Sequence, residues 1–334
     1  MLEITPANAR TWSRIGSRGV FGQAVLDIGE APDLMVLSAD LGNSSGLDRF
    51  KAAFPEKFLN IGIAEQNMIG VAGGLAKEGY NVFATSFAPF IALRAGEQVR
   101  MNLGYMALNV KAVAIGSGIS MAFLGNSHYG LEDAAVMRAI PNLTVVSPAD
   151  CGEIVKTVQA AAHFRGPMYI RLTGAPNNPV VYSEDYPFTF GKAVRLREGD
   201  DLTLIATGTM VHESLQAAKV LAERGISAAV LNMHTLKPLD AEALEVAMAT
   251  TRALVTVEEH SVIGGLGSAV AEHAASHPDR LPQLRLGLPD AFIHAGEYRF
   301  MLEREGLVGE RIAEAVAAFW SRLGQSPKTR MPMA

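Results

Sequence analysis

Residues 57–87, KFLNIGIAEQNMIGVAGGLAKEGYNVFATSF, contain a complete strand–helix–strand unit. FLNIG is short and apolar, so it reads as a strand. From near Glu65 the apolar residues fall at helical spacing, and a glutamate suits the positive end of a helix dipole. Gly79 marks a turn, and NVFATSF, aromatic and β-branched in part, is a second strand.

Outward from this unit the same alternation recurs. DLMVLSADL (33–41) is predicted as a buried strand opening into the polar loop GNSSG (42–46). Before it, Gly16–Gly29 reads as a helix with Val20, Ala24, Val25 and Ile28 on one face, and residues 1–10 as a surface arm. After it come a helix over 90–103, a strand over 109–116 and a Gly-rich loop to about residue 131. A helix over 130–140 stops at Pro141, a strand starts the stretch 143–150, and another covers 166–172. Such repeats argue for an α/β domain with a mainly parallel sheet. The proline-bearing run 173–190 has no clear period and is the linker candidate. Beyond it the pattern restarts, with strands over 201–208, 227–233 and 252–260, one more within 281–290, and helices between them. The reading is two α/β domains, 1–187 and 188–322, with a flexible tail over 323–334.

Composition narrows the class. Of 334 residues, 49% are apolar and 19% charged, which excludes a disordered chain. The net charge of -5, without a basic block, argues against a nucleic-acid surface. One cysteine, Cys151, cannot close an intrachain disulfide and is expected as a buried filler. With no apolar run of membrane-span character, a cytoplasmic protein is expected. The glycines of GVAGGLAKEG and GGLGSAVAE lack the dinucleotide spacing, and P-loop, HExxH and paired CxxC patterns are absent. Five loops at carboxyl ends of predicted strands carry polar or aromatic residues: 38–46, 60–68, 84–90, 116–133 and 258–265. Ligands of open α/β sheets sit at that edge.

Five stretches, in this order, resemble a known family: SADLGNSSGL, NIGIAEQNM, SFAPFIALRAGEQVR, NSHYGLEDAAVMRAIPNLTVVSPAD and VTVEEHSVIGGLGSAVAE. The chain is similar to the C-terminal section of transketolases, the pyrimidine-binding domain followed by the C-terminal domain. It is similar also to 1-deoxyxylulose-5-phosphate synthases and to the β chains of 2-oxo acid dehydrogenases. The resemblance implies thiamine diphosphate as cofactor and transfer of a two-carbon ketol unit from a ketose, often a phosphate, to an aldose through an enamine intermediate. It also implies half of a site. The diphosphate and its Mg²⁺ belong to a GDG motif on an N-terminal-type partner subunit, and no metal ligand is expected in this chain. A heterotetramer of two chains of each kind follows, with sugar substrates and no nucleic-acid or membrane partner.

Carried over residue by residue, the resemblance gives Glu65 the pyrimidine N1′, where a carboxyl group drives the proton relay of the cofactor. Phe87 and Phe90 lie against the pyrimidine ring, and Asp40 and Leu41 form a turn near the cofactor. His128 faces the reacting substrate oxygens, and Arg18 and Ser44 match substrate-phosphate contacts. His260 is expected to be structural. Gly116, Leu124 and Gly174 depart from the family, which carries a histidine, an aspartate and an arginine there. Their loss implies weaker phosphate and polyol recognition, and an arginine at 174 or an aspartate at 124 is expected to restore it. Arg171, three positions from Gly174, faces the other way on its strand. The departures leave open a thiamine enzyme with another donor, or a catalytically silent partner subunit.

Overall fold

In a computed structural model the described residues are 1–325. The twelve strands are β1 (Leu34–Ser38), β2 (Phe58–Asn60), β3 (Asn81–Phe87), β4 (Val110–Ile115), β5 (Thr144–Val146), β6 (Met168–Leu172), β7 (Val194–Arg197), β8 (Leu202–Ala206), β9 (Ala228–Asn232), β10 (Thr235–Lys237), β11 (Leu254–Ser261) and β12 (Gln283–Leu288). They form two sheets, ordered β10-β5-β6-β4-β3-β1-β2 and β12-β11-β8-β9-β7. Both are largely parallel; β10–β5 and β7–β9 are the antiparallel pairs. The fold is the two-unit α/β arrangement read from the sequence.

Central strands β1, β3, β4 and β6 are buried along their whole length, as strands covered by helices on both faces must be. The order β2-β1-β3-β4 reverses direction between β1 and β3. At such a switch point the flanking loops diverge and leave a crevice at the carboxyl edge. That edge carries Ser38 beside Thr85 and Phe87 beside Ile115.

The N-terminus corrects the expected surface arm. Pro6–Ile15 is a helix started by Thr5, whose hydroxyl accepts from Asn8 N 3.2 Å away, and by Pro6 in its first turn. It buries Ala9 and Trp12, and Ile4 packs in the core ahead of it. Gly16, at φ 81, breaks this helix from the next, Ser17–Asp27, so the helix predicted from Gly16 has a partner on its N-terminal side. The helix predicted over 90–103 is wound partly as π-helical turns, Phe90–Arg94 and Val99–Tyr105. The last helix runs Gly309–Gln325, so residues 323–325 of the expected tail are helical; the remainder lies outside the described residues. Among the described residues no helix is long and apolar enough to cross a membrane.

The proline-bearing linker lacks regular structure but is pinned at several points. Asp150 caps the helix Cys151–His163 through Glu153 N, and its other oxygen accepts from Val181 N and Tyr182 N at 2.7 and 2.8 Å. Glu153, fully buried, takes hydrogen bonds from Tyr186 Oη and from Asn232 at the end of β9. The two units therefore share a polar seam, joined by hydrogen bonds to Glu153 from Tyr186 and Asn232.

Candidate active site

Glu65 is the first residue of the helix Glu65–Lys77 and is 1% exposed. Its Oε1 accepts from Ser86 Oγ at 3.2 Å and its Oε2 from Arg94 Nη1 at 2.8 Å. Ser86 is the penultimate residue of β3, and Arg94 ends the first π-helical turn. The guanidinium also lies 4.1 Å from the centroid of the Phe90 ring, a cation–π contact. Two elements thus hold the carboxylate in place. Neither partner was singled out in the sequence reading. Both lie in SFAPFIALRAGEQVR, but an i to i+5 winding brings Arg94 round, and helical spacing alone does not show that.

Phe87, Phe90 and His128 form one cluster. Ring centroids are 5.8 Å apart for the phenylalanines and 5.4 Å from each to His128, all in edge-to-face geometry. Through Ser86 and Arg94 this cluster joins Glu65. His128 Nδ1 is 2.9 Å from Ser127 Oγ, which orients the ring. An aromatic cluster with a carboxylate at its margin suits a heteroaromatic ring with polar nitrogens.

Arg18 and Ser44 lie together in a cleft of about 320 Å³ on the same edge, with Asn43, Ser120, Met121 and Gly174 also lining it. Asp40 stands apart from both groups. It adopts φ 59 and exchanges two hydrogen bonds with Asn60: its N–H donates to Oδ1 at 3.0 Å and its carboxylate accepts from Nδ2 at 2.9 Å. Leu41 donates its N–H to Ser38 Oγ and packs its side chain on the core. Both residues form the turn after β1.

Gly174 has φ 87, and a Cβ there would stand 2.7 Å from Asn178 Oδ1. An arginine at this position is strained, so the expected phosphate contact would come at a cost in stability. Leu124 is 51% exposed on the loop that carries His128. Arg171 points away from this edge, as its strand parity implies. Buried, it pairs with Asp133 at 2.9 Å and donates to the carbonyls of Gly130 and Glu259. Glu259, also buried, accepts from Ile119 N, Thr209 Oγ1 and Tyr298 Oη. The second unit therefore grips the loop between Gly118 and Gly130. His260 is structural: Nδ1 lies 2.7 Å from Ser261 O, Nε2 accepts from Ala135 N, and burial pulls its pKa down to about 4. Burial likewise pushes the Cys151 thiol up to about 12, so it stays protonated. Among the described residues no three carboxylate, imidazole or thiol groups converge as a metal site.

Comparison with known sequences matches residues 14–175 to the transketolase pyrimidine-binding domain and residues 191–312 to the transketolase C-terminal domain. The chain belongs to the transketolase family. It is 42% identical over 90% of its length to a putative transketolase C-terminal section of Methanocaldococcus jannaschii, covering 95% of that protein. It is 41% identical to the 6-deoxy-6-sulfo-D-fructose transketolase subunit SqwH of Clostridium sp. strain MSTE9, over 89% of this chain and 92% of that one. The solved split gene transketolase, described as an inactive beta4 tetramer, superposes with TM-score 0.82 at 42% identity, covering 91% of this chain and 98% of that chain. Within the transketolase family the chain is a C-terminal-type subunit of the split kind.

Proposed function

We propose that this chain, joined to an N-terminal-type subunit, transfers a two-carbon ketol unit from a ketose to an aldose. The observation that carries the reading is the single cluster of Glu65, Phe87, Phe90 and His128 at the switch-point edge. Thiamine diphosphate is the cofactor; when bound, it supplies the electron sink for breaking and making the carbon–carbon bond. The donor set fits its ring. Phe87 and Phe90 would hold the pyrimidine face, and Glu65 would exchange a proton with the ring nitrogen, since a buried carboxylate at that atom sets the tautomer.

Arg94, half exposed, would balance the Glu65 charge. His128 would hold or move a proton at the substrate oxygen next to the reacting carbon, and Arg18 and Ser44 would take the anionic end of the sugar. Asp40 and Leu41 would border the cofactor from the turn after β1. The diphosphate and Mg²⁺ fall to the partner's GDG motif. The solved split relative is inactive as a beta4 tetramer. By the same reading this chain alone is inactive and self-associates, and with its partner it forms a 2+2 complex in the cytoplasm. The complex, supplied with cofactor and Mg²⁺, is expected to move a ketol unit across a panel of ketose phosphates. Turnover of pyruvate alone would point to a 2-oxo acid enzyme instead.

A further inference from the structure

One side chain reaches both the aromatic cluster and the cleft of Arg18 and Ser44. Gly116 follows β4 at φ 68, a conformation that favours glycine. A Cβ there would stand 2.4 Å from Met121 Sδ and 3.4 Å from Phe87 Cδ1. The Met121 thioether therefore fills the volume that a side chain at 116 would take, close to the Phe87 ring, and sulfur packs well at an aromatic ring. Met121 also lines the cleft that holds Arg18 and Ser44. Its neighbours in the lining add little there: the Ser120 hydroxyl proton is already given to Ser117 O at 2.9 Å, and Gly174 offers no side chain.

We propose that Met121 is a specificity-determining residue that turns this site toward sugar phosphates lacking a hydroxyl on the carbon that passes it. The proposal rests on the reading of this edge as a ketol-transfer site. A substrate anchored at its anionic end by Arg18 and Ser44, and reacting beside His128, lays its middle carbons across Met121. A hydroxyl pressed on the thioether gives up its water for a weak acceptor, whereas a methylene group loses nothing. Apolar sites disfavour an added hydroxyl by up to about 100-fold.

The test uses the assembled complex with cofactor and Mg²⁺. Affinities for ribose 5-phosphate and for its 2-deoxy and 3-deoxy analogues are measured by calorimetry, with ketol transfer followed in parallel. One deoxy sugar is expected to bind at least about tenfold tighter than the parent. Met121→Gln, close in shape but polar, should bring that ratio within about threefold, and Met121→Leu should keep it. Equal affinities in the native complex overturn the proposal, as does a ratio that glutamine leaves unchanged or leucine abolishes. The expected ratio without ketol transfer upholds Met121 and contradicts the reaction; transfer with equal affinities does the reverse.

Discussion

In the proposed reaction Glu65 is the residue on which the chemistry turns. Its carboxylate is held by Ser86 and Arg94, and glutamine would keep the shape while losing the charge. Glu65→Gln in the complex is expected to lower ketol transfer by about 10²–10⁴-fold, with assembly intact by gel filtration. A loss below about threefold would contradict the role. Gly174 gives the opposite kind of test. With φ 87 and Asn178 against it, Gly174→Arg is expected to cost about 1–3 kcal/mol in chemical unfolding and to bring no preference for phosphorylated sugars. A stable variant with improved phosphate use would show that the loop yields. The family resemblance singled out Phe87, Phe90 and His128, and the fold brings the three rings together. Ser86 and Arg94 were not legible in the sequence, because Ser86 meets Glu65 only when the helix packs on β3, and Arg94 only through a π-helical turn.

Among the elements, the loop from Gly118 to Gly130 carries the most consequence, since His128 is on it and the second unit holds it. Arg171 ties its far end to Asp133 and to Glu259 O. Removing one member of a buried ion pair strands the other, so Arg171→Met is expected to lower unfolding stability by about 3–5 kcal/mol. A cost under about 1 kcal/mol would mean that Asp133 finds another partner. Strand parity correctly turned Arg171 away from the cleft, but Asp133 lies 38 residues away in sequence and only the fold joins them. In the same way β10 was not read as a strand returning from the second unit to pair with β5. Three residues carry too little periodicity to reveal it.

On the scale of the molecule, the restart of the strand–helix pattern in a second α/β unit was legible, and the polar seam joining the halves was not. His234, fully buried beside that seam, stacks on Phe188 with centroids 4.5 Å apart. Burial pulls its pKa from 6.5 down to about 4. The unfolded chain thus binds the extra proton between those values, and stability present at neutral pH is lost as pH falls through that window. Replacing the ring by His234→Phe is expected to reduce the stability difference between about pH 7 and about pH 4.5 by about 2 kcal/mol; an unchanged difference would place the titration elsewhere. The central claim is that this chain holds only half of a cofactor site. On the proposed reading it offers a ring pocket, while the ionic contacts to the diphosphate come from the partner. Calorimetry with thiamine diphosphate and Mg²⁺, on the chain alone and then with the partner added, tests this most directly. The expected result is no measurable heat of binding for the chain alone and tight binding with the partner; micromolar binding without the partner would contradict it.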